Sequence, residues 1–245
     1  MKAMILAAGL GTRLKPLTDT MPKALVPLAG KPILYYTINK LISEGINQII
    51  INVHHFHELI IDYVIKQKKF GINIVFSMED TLLDTGGGLK KASLFFDDGQ
   101  PFVLHNVDVF SEINLKKMIA YHHQHKSMAT LAVRQRKTSR YLLFDQENRL
   151  AGWQSLDTGK TEMVKPQTQN QQNLSFMGIH VISPEIFSHF PADNIFPIIK
   201  AYLDLAKKGY KIFGYRNDED YWIDLGRKEN LKEAEEHLSS IKNMK

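Results

Sequence analysis

The 245-residue chain contains no cysteine, which excludes disulfides, thiolate zinc sites and cysteine nucleophiles and suits a cytoplasmic protein. No run approaches the roughly 18 apolar residues that a membrane span needs. The opening apolar run, Met1 to Gly9, is too short for a signal core and breaks at glycine and then arginine, so a soluble, unprocessed protein is expected. An arginine-rich block is also missing. The net charge is +5 and the pI about 9.1. The lysines are spread over helix faces and the C-terminal tail, which reads as a solvated surface rather than a nucleic-acid interface. Hydrophobic residues at 44% and charged residues at 23% argue against disorder.

What is present alternates. Ala3–Ala7 reads as a short strand. Gly30-Lys31-Pro32 opens a helix whose apolar face is Ile33, Leu34, Ile38, Leu41 and Ile42, and Gly45 closes it. Gln48–Val53 is a buried-strand run, Phe56–Lys68 an amphipathic stretch and Ile72–Phe76 a strand. A glycine turn and a helix come next, then a strand at Pro101–Leu104. This alternation is the mark of a largely parallel sheet covered by helices. In the second half, strands at Met128–Val133, Tyr141–Phe144, Arg149–Trp153 and Ser175–Ile182 have little helix between them, so the sheet should continue as a mixed one. Residues 166–173 form a polar, amide-rich loop. Helices at 184–190 and 194–208, a strand at 210–215 and a helix from 227 complete the chain. The fold class expected is α/β, a Rossmann-like α/β/α arrangement with a mixed, mostly parallel central sheet. A single domain is expected, in two halves (1–110 and 111–226) followed by a C-terminal helix (227–245).

Ligands of such sheets bind beyond the carboxyl ends of the strands. Just there lies Ala7-Ala8-Gly9-Leu10-Gly11-Thr12-Arg13, followed by Met21-Pro22-Lys23. Gly9-x-Gly11 begins a dinucleotide fingerprint, but Leu14 occupies the third glycine's place and no Walker lysine–serine pair is present. Two glycines let backbone N–H groups approach phosphate oxygens. Arg13 can grip a leaving pyrophosphate through two hydrogen bonds, and Lys23 can set a point charge on the α-phosphate. A dehydrogenase has no use for that pair, because its pyrophosphate does not leave.

Leu6-Ala7-Ala8-Gly9-Leu10-Gly11-Thr12-Arg13-Leu14 with Pro22-Lys23-Ala24-Leu25-Val26-Pro27 resembles the signature of the sugar-phosphate nucleotidyltransferases. Four further segments extend the resemblance in order: Gly30–Leu34, Leu83–Gly88, Leu104–Val109 and Trp222–Gly226. It implies attack of a sugar-1-phosphate oxygen on the α-phosphorus of a nucleoside triphosphate, releasing pyrophosphate, with Asp108 and Asp224 holding Mg²⁺. Arg13, Lys23 and Asp108 would be catalytic. Leu6, Ala7, Ala8, Gly9, Gly11, Thr12, Glu79, Thr85, Gly86, Gly87 and Asn106 would line the nucleotide, the glycine turn laying a flat base against the backbone. Arg140, Gly152, Lys165 and Gly178 would serve the sugar phosphate. No general base is needed, since the attacking oxygen is already ionised, and no compact Ser/His/Asp arrangement is present.

Two departures stand out. Val107 replaces the glycine that usually precedes the family's metal aspartate, and a valine there would be strained if the backbone needs positive φ. Val164 replaces the glutamate of a Glu-Lys-Pro motif before Lys165. An inactive nucleotide-binding homologue is the alternative that Val107 supports. A nucleotide-sugar glycosyltransferase would carry Asp-x-Asp, which Asn106-Val107-Asp108 is not. The histidines at 54, 55 and 57 and at 122, 123 and 125 lack a spaced carboxylate partner and read as surface or capping residues. At this length no appended left-handed β-helix is expected. The chain's compact second half most resembles N-acetylmuramate-1-phosphate uridylyltransferases of cell-wall recycling, which implies UTP. Mannose- or heptose-1-phosphate guanylyltransferases, thymidylyl- and cytidylyltransferases are alternatives. Neither a nucleic-acid nor a membrane partner is expected, and the protein should be a monomer or small homo-oligomer.

Overall fold

The computed structural model describes residues 1–165 and 171–243. The chain forms two compact units interleaved in sequence. The first comprises Met1–Leu82, His105–Ile113 and the residues from Tyr221 on; the second comprises Leu83–Leu104 and Asn114–Asp220.

In the first unit, strands Lys2–Leu6, Gln48–Val53 and Asn73–Met78 pair in parallel, with Met4 opposite Ile50 and Ile50 opposite Val75. Their β-branched run Ile49-Ile50-Ile51 is buried on both sides, as expected for a strand covered on both faces. The crossover helices are Ile33–Ser43, packed through Ile33, Leu34, Ile38 and Leu41, and His57–Lys66, packed through Ile60 and Val64. Gly45, at φ +90°, ends the first of these in the left-handed conformation a side chain would resist. A short antiparallel pair, Val109–Ser111 with Trp222–Asp224, places Val109 opposite Asp224. Parallel strands end on one side, so Ala7, His54 and Glu79 follow three neighbouring strand ends.

The second unit is largely antiparallel. Arg140–Phe144, Leu150–Ser155 and Thr161–Met163 form a meander. Gln172–Ile182 pairs with both Arg140–Phe144 and Ala129–Arg134. One parallel partner, Ile212–Arg216, lies beside Ala129–Arg134. The helix Ile198–Lys207 covers this sheet with Ala201, Tyr202, Leu205 and Ala206 buried. The mixed α/β architecture is the expected one.

Several boundaries differ from expectation. Thr85–Gly88 lies inside a helix, Asp84–Lys91, rather than in a turn before one. The helix expected from 194 starts at Ile198, because Pro197 sits in extended conformation at its N-cap. Pro184–His189 is a 3₁₀ segment. The strand Thr161–Met163 carries no strong alternation and was not anticipated. Of the expected loop at 166–173, Gln172 and Asn173 belong to the following strand, and residues 166–170 lie outside the described residues.

Candidate functional site

The loop after the first strand is shaped by two demands. Gly11 stands at φ +65° with an added Cβ only 3.0 Å from Lys23 Cβ and Thr18 Cγ2, so a side chain would be strained and crowded. Thr18 Oγ1 donates to the Gly11 carbonyl at 2.9 Å. The chain then turns through three 3₁₀ segments, Thr12–Leu14, Leu17–Asp19 and Lys23–Leu25, with Leu14 and Ala24 buried as anchors. Those anchors point Arg13 and Lys23 at the same place.

That place is a pair of carboxylates. Lys23 Nζ lies 2.8 Å from Asp108 Oδ2. Arg13 lies 3.4 Å from Asp224 Oδ2 through Nη1 and 4.0 Å from Asp108 Oδ2 through Nη2. Asp108 is 7% exposed. Burial alone would push its carboxyl up, but the Lys23 charge and hydrogen bond, aided by Arg13, hold it below the usual carboxylate range. The backbone fixes both acids: Leu225 N–H donates to the Asp108 carbonyl at 2.7 Å, and Gly226 N–H donates to Asp224 Oδ1 at 2.8 Å. A Cβ on Gly226 would come within 2.5 Å of Arg13 Nη2 and 2.8 Å of Asp224 Oδ1, so this glycine makes room for the ion pair.

Asp108 and Asp224 offer hard oxygen donors that converge on one guanidinium, a set that suits Mg²⁺. Among the described residues no group of three histidine or acidic side chains could hold a metal, so a cation here would draw its remaining ligands from water and substrate oxygens. Five of the six histidines are exposed or half-buried, as expected of surface or capping residues, whereas His122 departs from that expectation and is buried. His54 Nδ1 bonds the Glu79 carbonyl at 2.7 Å, His57 Nδ1 caps His54 and His125 Nδ1 bonds Tyr121. His122 is buried between Thr130 and Ser183.

The remaining first-unit positions lie at or just beyond the ends of its strands. Leu6 ends its strand and accepts from Val107 N–H. Ala7 and Ala8 are buried, and the Ala7 N–H donates to Asn52 Oδ1 at 2.7 Å. Gly9 would place a Cβ 3.8 Å from Lys23 Nζ, and Thr12 starts the 3₁₀ turn. Asn106 closes the strand Phe102–Asn106, and its carbonyl accepts from His105 Nδ1 at 2.8 Å. Glu79 is 5% exposed and accepts from Asn52 Nδ2 at 2.7 Å. Asn52, which sequence reasoning passed over, therefore ties the phosphate-loop backbone to Glu79. Its signal was a lone amide inside the Ile49–Val53 run. Val107 carries no strain: its φ is not positive, its side chain is fully buried, and its carbonyl accepts from Thr37 Oγ1.

The other expected positions lie in the second unit. Gly86 and Gly87 N–H both donate to the Phe196 carbonyl, at 2.9 and 3.2 Å. Cβ atoms there would fall 2.3 Å from the Phe196 ring and 2.0 Å from the Asn194 carbonyl. The close approach these glycines permit is thus to the chain itself. Thr85 Oγ1 accepts from Ile198 N–H at 2.9 Å. Gly152 would set a Cβ 2.7 Å from the Glu162 carbonyl of the next strand. Gly178 has φ +77° within a β-bulge between Phe176 and His180. Lys165 is exposed, and Arg140 starts its strand at the edge of a cavity.

A family model described as nucleotidyl transferase matches residues 2–241. The UTP–glucose-1-phosphate uridylyltransferase of Synechocystis sp. is 29% identical, over 93% of this chain and 60% of that protein. The mannose-1-phosphate guanyltransferase of Neurospora crassa is 40% identical over 54% of this chain and 37% of that protein. This chain therefore spans about three fifths or less of these two curated relatives. Among solved structures, HddC from Yersinia pseudotuberculosis superposes with a TM-score of 0.79 at 26% identity, covering 97% of this chain and 99% of that one. It has also been solved in complex with GMP-PN.

Proposed function

The chain belongs to the nucleotidyl transferase family, and on that premise we propose that it joins a sugar-1-phosphate to a nucleoside triphosphate, releasing pyrophosphate. The observation that carries this reading is the convergence of Arg13 and Lys23 on Asp108 and Asp224. Two anions must meet in this reaction, so positive charge aimed at the phosphates is the main requirement. Arg13 binds and orients the departing pyrophosphate, its planar fork matched to two oxygens. Lys23 neutralises charge developing on the α-phosphate. Asp108 and Asp224 are the residues that would hold Mg²⁺, which supplies charge neutralisation across the phosphates when bound. The Gly9–Thr12 backbone admits the phosphates closely, and Glu79 with Asn52 walls the base.

For the substrates we propose UTP and N-acetylmuramate-1-phosphate, on the resemblance of the Thr85–Gly88 segment and the compact second half to such enzymes. A second reading, GTP with mannose- or heptose-1-phosphate, is favoured by the identity to guanyltransferases and by the likeness to HddC, solved with GMP-PN. Pyrophosphate release with Mg²⁺, across five triphosphates crossed with a panel of sugar-1-phosphates, tests both. Release that requires one triphosphate and one sugar phosphate together is the expected result, and the productive pair selects between the readings. Nucleotide binding without release from any pair would overturn the transferase reading in favour of a binding-only protein.

A further inference from the structure

Within the second unit a cavity of about 540 Å³ opens between the helix Ile198–Lys207 and the meander. Leu142, Trp153, Phe176, Pro197 and Leu203 make most of its wall. The cross-strand register explains the clustering, since Trp153 lies opposite both Leu142 and Glu162 and shares their face of the sheet.

Three charged side chains line the cavity, and two of them are spoken for. Glu162 accepts from Lys207 at 2.5 Å and from Lys200 at 3.2 Å, and Lys200 also donates to Asp204 at 2.5 Å. Arg140 is different. Its backbone N–H donates to Thr138 Oγ1, but its guanidinium has no hydrogen-bond or ion-pair partner among the described residues. Nor does the indole N–H of Trp153, a donor with no acceptor capacity of its own.

The cavity thus offers one unpaired positive charge, one unpaired neutral donor and a carbon wall. A bare hexose fits it poorly, because hydroxyls facing this wall would lose their hydrogen bonds to water without replacement. A phosphate dianion would bring more charge than the single unpaired cation matches. A carboxylate brings one negative charge in the planar geometry that a guanidinium fork pairs best.

We propose that this cavity binds a small carboxylate carrying an apolar face, its carboxylate on Arg140 and its carbon part against Trp153 and Phe176. The free-acid form of the assignment rests on the cavity alone, and its sugar-substituent form rests also on the transferase reading. The carboxylate has two possible sources: an acidic substituent on a sugar substrate, or a free organic acid.

Calorimetric titration with two acids and their neutral counterparts tests it: N-acetylmuramate and its methyl ester, and 3-phenylpropionate and its amide. Each acid is expected to bind about tenfold or more tightly than its neutral partner. Arg140→Gln, a change at an exposed side chain, removes that preference while leaving the neutral compounds' binding as it was. Trp153→Leu weakens acid and neutral forms alike. Tighter binding of N-acetylmuramate than of 3-phenylpropionate assigns the site to a sugar substituent, and the reverse assigns it to a free acid. Equal binding of acids and neutral forms, no binding up to about 10 mM, or an acid preference that survives Arg140→Gln would each overturn the proposal.

Discussion

Lys23 and Arg13 hold the two carboxylates on which a metal ion would depend, so cation side chains and metal compete for the same oxygens. Lys23 Nζ sits 2.8 Å from Asp108 Oδ2, so a divalent ion on the same oxygen would lie within a few ångströms of the ammonium and be repelled by it. Incoming phosphates give Lys23 and Arg13 another partner and thereby release Asp108 and Asp224. Metal and triphosphate are then coupled, each binding more tightly in the presence of the other. Lys23→Ala should uncouple them. The free variant is expected to bind Mn²⁺ several-fold more tightly than the parent in calorimetric titration, while turnover falls by about 10²- to 10³-fold, the usual cost of removing one charge-stabilising donor. The acid limb of Mn²⁺ binding should also move up in pH, because without Lys23 burial pushes the Asp108 carboxyl upward. Unchanged Mn²⁺ affinity would show that the ammonium and the metal do not share these oxygens.

At the level of elements, the Asp84–Lys91 helix shows how a glycine run can be structural. Three consecutive glycines weaken a helix by about 1 kcal/mol each relative to alanine, and this one persists because its start is clamped from outside. Gly86 and Gly87 N–H donate to the Phe196 carbonyl, and Thr85 Oγ1 receives Ile198 N–H. Gly87→Ala should therefore destabilise rather than stabilise, by about 2–3 kcal/mol, since its Cβ would meet the Asn194 backbone carbonyl, which cannot rotate away. Gly99→Ala is the contrast: φ is +69° but nothing lies within 4 Å of the added carbon, so only the backbone penalty of about 1 kcal/mol applies. Urea denaturation of the two variants decides the matter, and equal losses would remove the packing explanation.

The same helix marks the limit of what was legible in the sequence. Strands such as Gln48–Val53 and helices such as Ile33–Ser43 were readable, because burial imposes a period and the terminal glycine and proline signal ends. The Arg13, Lys23, Asp108 and Asp224 group was legible because its members stand in ordered motifs at strand ends. Gly86, Gly87, Gly152 and Gly178 were legible as special positions but not in their cause. A glycine selected by an approaching carbonyl, a neighbouring strand or a bulge looks in sequence like one selected by a ligand. Asn52 and the Arg140 cavity were hidden for a related reason, since long-range pairing creates both.

For the molecule as a whole, acid should be the sensitive direction, and both units contribute. His105 in the first unit and His122 in the second are each 1% exposed. Burial pushes each imidazole down to about 4 from an ordinary 6.5, against a raising backbone hydrogen bond at His105 and with the help of His123 at His122. The folded state thus holds both rings neutral while the unfolded chain protonates them below about pH 6.5. Their contribution is complete above that pH and is lost as pH falls toward 4, by up to about 3 kcal/mol for each ring. His122 uses both ring nitrogens, with Thr130 and Ser183 at 3.0 Å, so protonation also breaks the bond in which the ring is the acceptor. His122→Gln keeps a polar group at the site but cannot titrate. Urea midpoints measured from pH 7.5 to 4.5 should fall steeply for the parent. The variant, less stable at pH 7.5, should show a markedly shallower decline, with the remaining slope owed largely to His105. A variant whose midpoints run parallel to the parent's across that range would mean that His122 is not the group whose burial sets the acid sensitivity.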